Sequence, residues 1–144
     1  MKQPTARQIK IIINMFLPKG WKLRQRKCLD GWACPIQRAI KVPTIKDKTT
    51  LGIFLHECAH FHLRHVRLTH GYANPPGCGG KWHIIEYLAE RFSCLALTWL
   101  GFPPTKAYVN DCKAYVKSWI KIERKLKHPI DPVVEAWVNQ KGVV

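Results

Sequence analysis

The stretch that decides the reading runs from Leu51 to His65: Leu51-Gly52-Ile53-Phe54-Leu55-His56-Glu57-Cys58-Ala59-His60-Phe61-His62-Leu63-Arg64-His65. Within it, His56 to His60 has the form H-E-x-x-H. Helical positions four apart lie about 40° apart around the axis and one turn along it, so both imidazoles can reach one metal ion. Glu57 stands about 100° round from His56, near enough to hold a metal-bound water without entering the ligand set. Two neutral nitrogen ligands, an open position and a neighbouring carboxylate are what a zinc hydrolase needs. The five-residue pattern alone is weak evidence, because a helix with two histidines and a surface glutamate has the same letters. The preceding residues shift the balance. Leu51, Ile53, Phe54 and Leu55 are apolar and predict a buried helix. A buried Glu and two buried His need partners, since an unpaired buried charge is very costly, and a metal ion supplies them.

The second informative stretch is Lys81 to Leu100, expected as one helix. Ile84, Leu88, Phe92, Leu95 and Trp99 form an apolar stripe, broadened by Ile85, Ala89 and Ala96. Glu86 and Glu90 sit four apart on one face of this helix. Glu86 as third metal ligand, with Glu90 accepting from a ligand histidine's other N–H, would satisfy both carboxylates. The bland alternative is a solvated acidic edge on an amphipathic helix.

A length of 144 residues predicts one domain with a real core. Hydrophobic residues make up 47% of the chain and six are Trp, which argues against disorder. No apolar run reaches the ~18 residues of a membrane span. The N-terminus lacks the small-residue cleavage site of a signal peptide, so the expected location is the cytosol of the host cell. There, reduced thiols are the default for the six cysteines. Cys58, Cys94 and Cys112 read as small core residues, whereas Cys28, Cys34 and Cys78 lie in polar or Gly-rich stretches without C-x-x-C spacing.

A formal net charge of +15, from 24 Lys and Arg against nine Asp and Glu, builds a positive potential that attracts polyanions, nucleic acid first. One ridge stands out. Lys106, Lys113, Lys117, Lys121 and Arg124 fall on one face of an expected helix after Pro104, opposite a core stripe of Tyr108, Cys112, Tyr115, Trp119, Ile122 and Leu126. Such a ridge is usually a solvated face; at this net charge it is also a candidate phosphate contact.

The remaining elements read in order. Thr5 caps a first helix through Phe16. Trp21–Arg26 reads as a half-exposed strand, Asp30-Gly31 as a turn, and Gln37–Val42 as a second or third strand that Pro43 ends. Thr49 is the expected cap of the motif helix, and Asp131-Pro132 start a last short helix. Residues 65–80, rich in Gly and Pro, read as a loop that swings the chain back and carries the rival ligands His65 and His70.

With these stretches placed, the chain resembles the C-terminal metallopeptidase domain of the ArdC antirestriction family. Three features carry the likeness over residues 35–140: Ile40-Lys41-Val42-Pro43 shortly before His56–His60, an E-x-x-A-E-x-x-S helix at Glu86–Ser93, and an A-Y-x-x-S-W helix at Ala114–Ile120. The resemblance implies an α+β, zincin-like fold in which a small twisted sheet packs on helices. It implies zinc held by His56, His60 and Glu86, with Glu57 as the general base. Family members carry a further N-terminal domain that binds single-stranded DNA and protect incoming plasmid DNA from restriction. Here residues 1–34 are too few for that domain and read as a helix and strand extension of a single domain, 1–144. The expectation is a gluzincin-type zinc metallopeptidase acting on a protein or peptide near nucleic acid, in an antirestriction or host-takeover role of a phage or plasmid. Ile40-Lys41-Val42 is the strand expected to pair with an extended substrate, and His83, Tyr72 and Tyr108 are the candidate oxyanion donors.

Two rivals stay open. His70-Gly71 resembles the third-ligand region of SprT-like proteases, whose substrates are proteins on DNA. The other is a non-catalytic DNA-binding antirestriction protein with a structural zinc.

Overall fold

The computed structural model describes residues 2–27, 30–63 and 81–140. They form five helices and one three-stranded mixed sheet, an α+β architecture: α1 (Ala6–Phe16), β1 (Lys22–Arg26), β2 (Trp32–Cys34), β3 (Ala39–Pro43), α2 (Lys48–His62), α3 (Trp82–Trp99), α4 (Lys106–Lys125) and α5 (Pro132–Asn139).

Local chemistry sets the helix starts. Thr5 caps α1 in a reciprocal box with Gln8, whose side chain accepts from the Thr5 N–H at 2.9 Å. The start of α2 corrects the expectation of Thr49. Asp47 is the cap: its carboxylate accepts from the Thr50 N–H at 2.8 Å, and the Thr50 hydroxyl accepts from the Asp47 N–H. Asp131 caps α5 with Pro132 in the first turn, as expected. Pro104 lies just outside α4, which Thr105 caps.

The sheet order is β1-β3-β2, with β1 parallel and β2 antiparallel to β3. Every residue of β3 is buried. This overturns the expectation that Ile40-Lys41-Val42 receives a substrate strand, because both its edges are already paired. Among the described residues the edge strand beside α2 is β2, a three-residue strand that the Asp30-Gly31 turn had concealed.

α2 runs under the sheet and is buried nearly all round: Leu51, Phe54, Leu55, Cys58 and Ala59 are fully enclosed. Its main neighbour is α3. α4 comes close at Gly52, where an added Cβ would lie 2.3 Å from the Tyr108 hydroxyl oxygen. The sheet, α1 and α2 enclose one apolar core, and α3, α4 and α5 enclose a second.

The helical faces of α3 and α4 differ from the apolar stripes read in the sequence. In α3, Leu88, Leu95 and Trp99 are 41%, 52% and 74% exposed, and the buried face carries His83, Glu86, Ala89, Glu90, Ser93 and Leu97. Small Ala89 and Ser93 allow close helix contact, and the two carboxylates meet polar partners on α2. In α4 the buried residues are Val109, Cys112, Lys113, Val116, Ile120 and Glu123: Cys112 is buried as expected, and the rest lie one residue along from the expected row. Tyr108, Tyr115 and Trp119 are therefore left at the boundary, beside the clefts described below. No described helix is long and apolar enough to cross a membrane.

Candidate metal centre

His56 and His60 project from consecutive turns of α2 toward Glu86 on α3. His56 Nε2 lies 3.1 Å from His60 Nε2 and 3.2 Å from Glu86 Oε2, and the third side, His60 Nε2 to Glu86 Oε2, is 3.7 Å. All three residues are buried. A tetrahedral ion with bonds of about 2.0–2.1 Å has ligand–ligand edges of about 3.3–3.4 Å, so this triangle has the size of one face of such a site. Glu86 Oε2 is buried and, although 3.2 Å from His56 Nε2, has no aligned hydrogen bond among the described residues. Left thus, a desolvated carboxylate oxygen is costly; a cation among the three atoms satisfies it. The group His56, His60 and Glu86 could hold a metal ion.

The back of His56 is held as well. Its Nδ1 lies 3.3 Å from Glu90 Oε1, one turn beyond Glu86 on α3. The pair is close but not aligned as a full hydrogen bond. Spacing i, i+4 thus serves twice: on α2 it brings two ring nitrogens together, and on α3 it places one carboxylate on each side of the same imidazole. Glu90 in turn receives the Cys112 thiol from α4. Without a metal, burial disfavours charge on His56, but the carboxylates of Glu90 and Glu86 outweigh it and hold the pKa well above the ordinary value. For Glu90, burial works upward, yet the attraction of His56 wins and lowers its pKa.

Glu57 stands beside the triangle and outside it. It is buried against Gly31, where an added Cβ would lie 2.8 Å from Glu57 Cγ. Its carboxylate accepts from the Ala33 N–H of β2, while Oε2 has no hydrogen-bond partner among the described residues. Burial, helped by the charges of Glu86 and Glu90, pushes its pKa up to about 7 against the opposing pull of His56 and the Ala33 N–H. A carboxylate poised there near neutrality can exchange a proton with water.

The front of the site opens into a cleft of about 320 Å³. Gly31 and Trp32 of the β2 side, Trp82 of α3, and Tyr115 and Trp119 of α4 line it together with His56, Glu57, His60 and Glu86. The Tyr115 ring lies 6.2 Å from the His56 ring. None of these aromatic residues was singled out as a site residue in the sequence, although Tyr115 and Trp119 lie within the Ala114–Ile120 motif. His83 faces elsewhere, its Nε2 accepting from the Asp131 N–H at 3.0 Å. Tyr108 lines a neighbouring cavity behind Glu57. His65, His70, Tyr72, Cys28 and Cys78 lie outside the described residues.

The basic ridge is only partly a ridge. Lys106, Lys117 and Lys121 are exposed, and Arg124 is exposed but paired with Glu135. Lys113 is buried, its ammonium donating to the Gln140 carbonyl at 2.6 Å and lying over the Trp137 ring. None of the five lines the cleft.

Compared with protein-family models, with curated proteins and with solved structures, the chain matches none.

Proposed function

We propose that this chain is a zinc-dependent peptidase of the gluzincin type with a zincin-like fold, acting on an extended protein or peptide segment. The observation that carries the reading is the His56–His60–Glu86 triangle, sized for one tetrahedral ion, with Glu57 beside it but outside the ligand set. Two nitrogens and one carboxylate favour zinc over the harder cations, which prefer all-oxygen sites. The resemblance to ArdC metallopeptidase domains supports the same assignment.

Zinc, when bound, supplies a Lewis acid and a water of lowered pKa. The chain's own residues do the rest. Glu90 fixes the His56 ring with Nδ1 turned away, so that Nε2 faces His60 and Glu86. Glu57, held by Gly31 and the Ala33 N–H, takes the proton of the attacking water and passes it to the leaving amine. The β2 edge lies beside these groups and offers backbone pairing to an extended substrate, the role first assigned to β3.

Replacing Glu57 by Gln keeps the three ligands and removes the base. The variant should bind zinc at wild-type stoichiometry and lose cleavage of a quenched fluorescent peptide library. Wild-type cleavage by this variant would sink the mechanism.

One observation favours a second reading, a DNA-binding antirestriction protein whose zinc is structural: the net charge of +15, with Lys106, Lys117 and Lys121 exposed. Binding of single- and double-stranded DNA by the Glu57→Gln variant, measured against salt, separates the two. Tight, salt-steep binding with full protection of DNA by this variant favours masking over proteolysis. In the SprT-like alternative His70 would replace Glu86. Zinc is then lost from His70→Ala and kept by Glu86→Ala, the reverse of what the triangle predicts.

A further inference from the structure

The cleft in front of the metal triangle has a composition at odds with the rest of the chain. The protein carries 24 Lys and Arg, yet no Lys or Arg among the described residues lines this cleft. Among the described residues its acidic members besides the triangle's own Glu86 reduce to Glu57. What surrounds them is aromatic: Trp32, Trp82, Trp119 and Tyr115, half of the six tryptophans gathered at one opening. They come from three separate elements, β2, α3 and α4.

The wall is built rather than incidental. Trp82 and Trp119 stack with ring centroids 5.6 Å apart and planes at 25°. Trp82 is fixed from below, because its backbone N–H donates to the buried Glu123 carboxylate at 2.9 Å. The same carboxylate takes His128 Nδ1 at 2.6 Å, tying the wall to the end of α4. Trp32 is half exposed on the edge strand, with the Lys41 ammonium 4.5 Å from its ring centroid. Apart from the Lys41 ammonium over Trp32, the described wall offers an anion ring faces and no Lys or Arg. It gives an apolar side chain contact area, and an aromatic one ring stacking as well.

The geometry points to this aromatic wall as the specificity pocket of the site, taking an apolar or aromatic side chain next to the scissile peptide bond. The inference rests on the peptidase reading above and adds a substrate class to it. The charged surface and the cleft then have separate tasks: any polyanion meets the lysines outside, while the substrate side chain is read by tryptophan inside.

The test uses small hydroxamates on the zinc-loaded full chain, so that no turnover is required. Acetohydroxamate reports the open metal position alone; N-acyl hydroxamates of Phe, Leu, Lys and Asp add one side chain each. Affinities are measured by calorimetry. The Phe and Leu compounds should bind at least about tenfold tighter than the Asp and Lys compounds, the range one apolar pocket gives. Trp119→Ala should abolish that preference while leaving zinc content and acetohydroxamate affinity unchanged. If Trp119→Ala does not fold, Trp32→Ala on the exposed side is the second variant, with the same expected loss of preference. Equal affinity for all four side chains, or preference for Lys or Asp, with acetohydroxamate still bound, overturns the pocket and leaves the peptidase reading standing. Failure of acetohydroxamate to bind the zinc-loaded protein overturns the open metal position, and the pocket assignment with it.

Discussion

Gly31→Ala is the substitution from which most is expected. The added methyl would sit 2.8 Å from Glu57 Cγ, 2.9 Å from Ile53 Cγ2 and 3.0 Å from Glu57 Oε1. Carbon pairs become attractive near ~3.5 Å, so the Glu57 stem or the loop must retreat by roughly 0.7 Å. Both contacted side chains belong to α2, whose position is fixed by the fully enclosed Leu51, Phe54, Leu55, Cys58 and Ala59. Overpacking of this kind costs about 1–3 kcal/mol. A reacting group displaced by ~1 Å costs about a hundredfold in rate, so the cleavage rate should fall by roughly ten- to a hundredfold. Zinc content should not change, because Glu57 lies outside the triangle. Cleavage of a quenched fluorescent peptide, metal content and the thermal midpoint of the same preparation together check this. Full activity at full zinc occupancy would refute the claim that Gly31 seats the base, and loss of zinc would show that the turn supports the ligands instead.

Other consequences follow from the same contacts. Glu90→Ala removes the group behind His56 and should weaken zinc binding about 10- to 100-fold, measured by competition with a chromogenic chelator; Glu90→Gln, which keeps an acceptor, should recover part of the loss. Glu123→Ala deletes a buried carboxylate that accepts from the Trp82 N–H at the uncapped start of α3. It should lower stability by about 2 kcal/mol in urea unfolding, and a change below ~0.5 kcal/mol would contradict the assignment. His83 predicts an acid-sensitive joint between α3 and α5. Burial lowers its pKa below the ordinary 6.5, against the upward pull of Glu123 and Asp131. The stability held by the neutral ring is thus complete above that value and lost as pH falls through the lowered native pKa. The imidazolium has no lone pair left for the Asp131 N–H, so exchange of that amide should accelerate selectively on acidification. An amide rate that follows only the intrinsic pH dependence would remove the joint.

How much of this was legible in the sequence depends on what each residue has to answer to. Caps and turns answer to neighbours, so Thr5, Asp131 and the ends of α3 fell where the letters put them, while Asp47 took the cap from Thr49 because Thr50 completes a box with it. The metal triangle was legible because i, i+4 spacing on two helices fixes which side chains can converge, and because buried carboxylates require partners. The faces of α3 and α4 were not. Hydrophobicity turned Leu88, Leu95 and Trp99 inward, whereas they are exposed and the helix buries His83, Ser93 and Leu97 together with the expected Glu86 and Glu90. Periodicity weighs apolar residues and is blind to a polar face satisfied by a site. β2 escaped because three residues after a turn signal carry almost no pattern. With it went the edge strand, Gly31 and Trp32.

One metal ion held by His56, His60 and Glu86 is the centre of the proposed function, and X-ray absorption at the zinc edge, on protein loaded with one equivalent of zinc, tests it directly. The spectrum should show nitrogen and oxygen neighbours at about 2.0–2.2 Å with imidazole scattering and no sulfur, and Glu86→Ala should lose the ion on dialysis. Thiolate ligands at about 2.3 Å, or an unchanged zinc sphere in Glu86→Ala, would contradict it.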